Sequence, residues 1–322
     1  MRQRGMGRLL IAVSVMTVAG CGNVPVQSWK DNMVTYGRQY CQSGDNYYDA
    51  VRVYYQIQDA TGDGKFAACA ERAASEYVDN YLRPNQFKAA GWMIFPHGLL
   101  MQYERTHDEK YKDALIKLSQ NASFSSAPLE WTASSELSRE VAYNLEAKLL
   151  AESVGVSDRT RATQLAEQAL GHYDQWFVKR TATFTRPFMA ALTAEALIMW
   201  YDKTKDPRVL PALKQGADWM WANMWLARDK SFKYTDRKME HGGEDAAPDL
   251  NLLIAPLYGW LYKMTGDKTY CERGDAIFHG GVLSSGLNNP KHFNQNYRWS
   301  FDYLKWRGNC GGTDAAPPKK SS

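Results

Sequence analysis

Residues 250–278 read LNLLIAPLYGWLYKMTGDKTYCERGDAIF, and the triplet in the middle decides the fold. An apolar, aromatic run ends at Thr265-Gly266-Asp267, and a more amphipathic run follows. Glycine breaks the first helix, and Asp or Thr accepts the free backbone N–H groups that open the second. The same turn recurs at Thr61-Gly-Asp63, Thr106-His-Asp108 and Thr204-Lys-Asp206, with a degenerate copy at Ser157-Asp158. Most copies lie roughly 45 to 60 residues apart, a period that marks repeated helical hairpins.

Each turn separates two kinds of helix. Before it the sequence is aromatic and aliphatic, as in Tyr47–Asp59, Trp92–Arg105, Ser135–Ala151, Arg186–Lys203 and Leu250–Met264. After it the apolar residues keep helical spacing on one face, as in Lys110–Ser119, Arg159–Val178, Pro207–Trp225 and Lys268–Phe278. A final helix over Tyr297–Trp306 has no successor, and Trp29–Tyr40 could supply the missing outer partner. Strand signals are almost absent, so the fold class expected is all-α.

Hairpins of this length stack as a solenoid or close into a ring. Tetratricopeptide-type solenoids repeat near 34 residues and are more uniform, so closure into an (α/α)6 toroid fits better. In hairpin pattern and turn the chain resembles the six-hairpin toroids of glycoside hydrolases, polysaccharide lyases and uronyl epimerases. The resemblance covers nearly all of residues 44–307. It implies a toroid domain and a carbohydrate ligand, and says little about the reaction.

The N-terminus carries an address. Arg2, Arg4 and Arg8 precede the apolar run Leu9–Ala19, which is too short for a bilayer span of about 20 residues and reads as a secretory signal. Val18-Ala19-Gly20-Cys21 resembles the bacterial lipobox, which implies cleavage before Cys21 and its acylation. The Gly22-Asn23 that follows implies the outer membrane in a Gram-negative source. Residues 22–43 then read as a tether and 308–322 as a disordered tail. Loss of residues 1–20 leaves 36 basic against 35 acidic side chains, so charge makes no case for nucleic acid. In an oxidising compartment the remaining Cys41, Cys69, Cys271 and Cys310 suggest two disulfides. Proximity in sequence favours Cys41–Cys69 and Cys271–Cys310.

In a toroid the connections preceding the inner helices are the long ones, here about 83–92, 121–135, 179–187, 228–249 and 286–297. Long connections on a rigid scaffold are where function usually sits. They and the adjoining helix starts hold Trp92, Phe95, His97, Trp131, Glu136, Arg139, Glu140, Tyr143, Phe184, Arg186, Tyr234, His241 and the run His292-Phe-Asn294-Gln-Asn296-Tyr297-Arg298-Trp299. Aromatic faces beside charged and amide groups suit a sugar ring.

Two reactions compete. A uronate lyase neutralises a carboxylate, removes the adjacent C5 proton and protonates the leaving oxygen. Tyr297, Arg298, His241, His97, Arg139 and Tyr143 supply those groups, with Trp92, Trp131, Arg186, Tyr234, Asn294, Asn296 and Trp299 holding substrate. Asn-x-Tyr-Arg-Trp loosely resembles the clusters of toroidal alginate and glucuronan lyases, but lacks the histidine of the alginate form. A glycosidase needs two carboxylates about 5 to 9.5 Å apart, for which Glu136, Glu140, Glu244, Asp245 and Asp249 are candidates. Cationic groups at the mouth favour an anionic polymer and elimination. A non-catalytic glycan-binding or assembly lipoprotein is the third reading.

Metal and cofactor signals are weak. Asp59-Ala-Thr61-Gly-Asp63-Gly64 resembles half a calcium loop, but its twelfth position is Ala70 where the EF-hand needs Glu. No two histidines have zinc-ligand spacing. No nucleotide or redox cofactor is implied.

Overall fold

The computed structural model describes residues 24–238 and 243–310. Those residues form an all-α protein. Among the described residues the β pairing is limited to the two-residue antiparallel pairing of Trp225–Leu226 with Ser231–Phe232 and a single bridge between Lys233 and Ala246.

The Thr-x-Asp turns make one hydrogen-bond figure four times. In each, the Thr hydroxyl donates to the carbonyl four residues back and accepts from the Asp N–H, and the Asp carboxylate accepts from the N–H two residues on. The middle residue is always left-handed: Gly62 at φ 71°, His107 at 54°, Lys205 at 57° and Gly266 at 71°. Ser157-Asp158 departs from the figure. There Gly155 takes the left-handed position and Asp158 caps at Arg161 N–H.

The hairpins these turns join are α2 (Ala50–Thr61) with α3 (Lys65–Glu76), α4 (Pro96–Thr106) with α5 (Glu109–Asn121), and α6 (Ser138–Ala151) with α7 (Arg159–Tyr173). After them come α8 (Pro187–Thr204) with α9 (Val209–Met224) and α10 (Asn251–Thr265) with α11 (Lys268–Leu283). Helices α3 and α7 each run on into a wider π turn, Tyr77–Leu82 and Asp174–Val178. Proline opens α4 and α8, where its missing N–H costs nothing. The helices before the turns are the central ones: α8 and α10 are buried almost all round, whereas α5 and α9 bury one face. Consecutive central helices are neighbours, from α2 to α4, α6, α8 and α10.

The chain ends differ from the sequence reading. The stretch read as a tether contains α1 (Val26–Tyr40), which packs on the body and buries Trp29 and Met33. Its apolar residues at helical spacing make it an outer helix, as the Trp29–Tyr40 pattern suggested. The expected final helix over Tyr297–Trp306 is α13 (Ser300–Arg307), and the connection read over 286–297 holds a further helix, α12 (Pro290–Tyr297), with the break between them at Arg298-Trp299. Helix α13 lies along α10, and α12 touches both α1 and α2. Trp29 Nε1 donates to Ser300 Oγ at 3.1 Å, and the Tyr297 hydroxyl donates to the Trp29 carbonyl at 2.7 Å. In the tail read from residue 308, Gly308 and Asn309 are exposed and Cys310 is buried, and residues 311–322 lie outside the described ones.

The cysteines pair Cys41 with Cys69 and Cys271 with Cys310, as proximity favoured. The first bond joins the end of α1 to α3, and the second joins α11 to the segment after α13. Among the described residues no helix is long and apolar enough to cross a membrane.

Candidate functional site

Charged side chains on the central helices converge in the interior. Arg52 comes from α2, His97 from α4, Tyr143 and Glu146 from α6, Glu195 from α8, Arg298 from the α12–α13 break and Asp302 from α13. Arg52 Nη1 donates to Glu195 Oε1 at 2.6 Å, and its Nη2 lies 3.6 Å from Asp302 Oδ2. Arg298 Nη2 sits 3.0 Å from both Glu146 Oε2 and Glu195 Oε2, while its Nη1 donates to the Tyr143 hydroxyl. His97 Nε2 is 3.4 Å from Glu146 Oε2. Two guanidinium groups thus face three carboxylates in a place that excludes most water.

The start of α2 locks this cluster to α4. Tyr48 and Asp49 are left-handed, at φ 63° and 65°, a strained conformation for non-glycine residues. The Asp49 carboxylate accepts from Arg52 N–H at 3.2 Å and from Gly98 N–H at 3.0 Å. Gly98 is required there, since a Cβ would stand 2.3 Å from Asp49 Oδ1.

Burial governs the protonation states. It pushes the His97 imidazole down to about 3, helped by the Arg52 charge, so the ring is neutral. Burial raises the Glu146 carboxyl above its ordinary range although Arg298 opposes it, and raises Asp302 against the pull of Arg52. Single ligand atoms of His97, Glu146 and Glu195 lie within 4.8 Å of one another, the right types for a divalent cation. The Arg298 guanidinium, however, stands between the two carboxylates as their counter-ion. Cys271, Asp275 and Cys310 also cluster, but the two sulfurs are bonded to each other and cannot ligate.

Beside the ion pairs lies a cavity of about 100 Å³, lined by Arg52, His97, Glu195, Asp302, Trp299 and Trp306 among others. Small-molecule sites run to roughly 300–1,000 Å³. A sugar ring with its neighbours has no room here.

A second grouping lies where the long connections meet the helix starts. Arg139 Nη2 donates to Glu140 Oε1 at 2.8 Å, and its Nη1 donates to the Tyr47 hydroxyl at 3.3 Å. Lys291 Nζ stands 5.5 Å from the centre of the Tyr47 ring, and Phe95 packs edge-on to it at 6.2 Å. The backbone of Gly91 lies against Glu140, which places Trp92, 50 % exposed, at the same edge. Asn294 holds the segment by donating to the Asp45 and Tyr47 carbonyls, each at 3.0 Å.

Placed against these two groupings, the sequence candidates separate. His97, Tyr143 and Arg298 meet in the interior, and Arg139 and Trp92 meet at the edge. Tyr297 does neither: it is 1 % exposed, and its hydroxyl is engaged by the Trp29 carbonyl. Arg298, 2 % exposed, is an ion-pair partner rather than a free carboxylate neutraliser. The elimination scheme built on these two residues therefore loses both its base and its neutraliser. Asn294 and Asn296 cap backbone carbonyls, and Trp299 is buried, so none of the three reaches a ligand at the edge. Trp131 is 63 % exposed. Arg186 stacks between Phe184 and Tyr234, 4.4 and 5.1 Å from the ring centres. His241 lies outside the described residues.

Of the acids proposed for a glycosidase, Glu136 and Asp245 are exposed and Glu244 pairs with Lys233 at 2.8 Å. Asp249 is half-buried, and its carbonyl accepts from Gln295. Glu140 is buried against Arg139. The carboxylates that do face one another, Glu146 and Glu195, were not among the candidates, nor were Arg52 and Asp302. A signal existed: each is a charge inside an apolar or aromatic helical run, as in Phe188–Ile198, where Glu195 is the only ionisable group.

No family model, curated protein or solved structure matches the chain.

Proposed function

We propose that the chain is a lipid-anchored, exported protein on an (α/α)6 toroid that binds a glycan at the edge of its long connections without cleaving it. The toroid is supported by the succession of central helices from α2 to α10, by α13 beside α10, and by α12 resting on α2. Lipidation at Cys21, and with it an outer-membrane position in a Gram-negative cell, rests on the Val18–Cys21 motif.

One observation carries the choice of binding over chemistry. The Tyr297 hydroxyl and the Arg298 guanidinium are both consumed by internal bonds, and the interior cavity of about 100 Å³ admits no polymer. The edge offers what recognition needs instead: Trp92 and Tyr47 as stacking faces and Lys291 as a cation for an acidic sugar, with Arg139 held by Glu140 beside them. An anionic polysaccharide is the ligand class.

Calorimetric titration with uronate and neutral oligosaccharides tests this. Uronate chains should bind, and Trp92→Ala should weaken binding roughly fivefold, in line with the ~1 kcal/mol of an aromatic contact. Lys291→Gln should weaken acidic ligands alone. Absence of binding to every glycan, or release of reducing ends on incubation, sinks the reading.

A second reading keeps elimination and moves it to the edge. The Arg139–Tyr47 contact at 3.3 Å sets a guanidinium, shared with Glu140, beside a tyrosine that takes the C5 proton when it is a phenolate. Burial raises the Tyr47 hydroxyl, which works against a base. Accumulation of an ultraviolet-absorbing unsaturated uronate that disappears in Tyr47→Phe would establish it.

A further inference from the structure

One concavity among the described residues belongs to neither grouping. It measures about 390 Å³ and is walled by Val24, Trp221, Trp225, Lys230, Asp275 and His279. Trp221 and Trp225, one turn apart at the end of α9, stack with ring centres 4.6 Å apart and planes 16° from parallel. Phe232 meets Trp225 edge-on at 5.2 Å and fixes the pair in place, yet both indoles stay partly open to solvent.

The surroundings are apolar and cationic. Lys230 Nζ donates to His279 Nδ1 at 3.3 Å, and the Arg273 guanidinium, paired with Asp218 at 2.8 Å, lies 5.3 Å from the Trp221 ring centre. Leu283, one turn beyond His279 on α11, is 62 % exposed. The one acid in the wall, Asp275, is held by Arg307 and Tyr303. Among the described residues no carboxylate pairs with Lys230.

Val24 supplies the decisive constraint. It stands three residues after Cys21, and three extended residues span at most about 10 Å. Whatever holds Cys21 therefore holds this face within about that distance. Indole rings favour the boundary between water and acyl chains, and Lys and Arg favour anionic lipid phosphates.

We infer that this face docks on the phospholipid bilayer, with Trp221 and Trp225 at headgroup level and Lys230 meeting lipid phosphates. The inference rests on the acylation of Cys21 proposed above. It adds an orientation: the body lies against the bilayer on its α9–α11 side rather than swinging on a leash.

The test uses the full acylated protein in phosphatidylethanolamine–phosphatidylglycerol vesicles whose brominated acyl chains quench tryptophan. Quenching should fall roughly threefold in Trp221→Phe/Trp225→Phe, since indoles at the boundary lie nearest the bromines, and should hold in Trp92→Phe/Trp131→Phe. Lys230→Glu, which leaves the indoles in place, should weaken quenching most when phosphatidylglycerol is abundant. Intact mass separates the two premises. An acylated protein whose quenching ignores the Trp221/Trp225 replacement overturns the docking face and leaves the anchor standing. A protein without acyl groups that still shows the Trp221/Trp225-dependent quenching removes the anchor and supports the face. Loss of glycan binding in the Trp221/Trp225 variant with unchanged quenching also overturns it.

Discussion

Arg298 shows how one residue can look catalytic in a sequence and serve another end in the fold. Its guanidinium bridges Glu146 and Glu195, which would otherwise be two buried like charges. Breaking a buried pair by removing one partner costs about 3–5 kcal/mol, because the stranded charge stays desolvated. Arg298→Met should lower stability by that amount in urea unfolding, and adding Glu146→Gln and Glu195→Gln should recover part of it. A loss below about 1 kcal/mol would mean the cluster is not a structural keystone. His172 gives a cleaner titration, away from these acids. Its Nε2 meets the Thr132 carbonyl at 3.0 Å, and burial brings its pKa down to about 4. The folded state then resists a proton that the unfolded chain accepts near 6.5. Stability is lost as pH falls from about 6.5 to about 4, at roughly 1.4 kcal/mol per unit. Relative to His172→Gln, the wild-type protein should therefore lose its advantage over that window. A stability difference that stays flat with pH rules this out.

The hairpin turn is the element that sequence revealed most fully. Its hydrogen bonds join residues two and four apart, so the figure is local and no distant partner can override it. Asp267→Ala should cost about 1 kcal/mol, the usual value of an N-cap. Gly266 sits at φ 71° with nothing within 4 Å of a would-be Cβ, so Gly266→Ala should cost about 1 kcal/mol through backbone strain alone. Lys205→Gly at the matching position should stabilise the protein, and thermal unfolding of the three variants checks the signs. The break between α12 and α13 was hidden for the opposite reason. The sequence reads as a connection over 286–297 and one aromatic helix over Tyr297–Trp306, whereas the chain turns at Arg298-Trp299, where the partners are far away in sequence, Trp29 on Ser300 and Glu146 on Arg298. The interior ion pairs were hidden likewise, because each charge lies on a different helix and its role depends on register between helices.

At the scale of the molecule, covalent bonds secure both ends. Each disulfide closes a loop, with 28 residues separating Cys41 from Cys69 and 39 separating Cys271 from Cys310. In the chain-entropy account a loop of this size contributes about 3–4 kcal/mol. Reduction, or replacement of either pair by Ala, should lower the urea midpoint accordingly, with the two effects nearly additive because the sites share no partner. Their pairing was legible from spacing, as were the central helices. Which long-connection residues share an edge was not, since Tyr47 and Arg139 are brought together only by tertiary packing.

The contacts of Trp29 with Ser300 and Tyr297 impose an order of events on biogenesis. Helix α1 is the first described element to leave the ribosome and, if exported, the translocon, yet its partners emerge last. Until then its buried face is a sticky, unsatisfied surface, and native contacts of such long range form slowly. A stop codon anywhere before residue 300 strips the first helix of its seat as surely as it deletes the last. Truncated chains should thus be cleared by proteolysis rather than persist as partial folds, and a holdase in the receiving compartment should find its substrate at the N-terminal end.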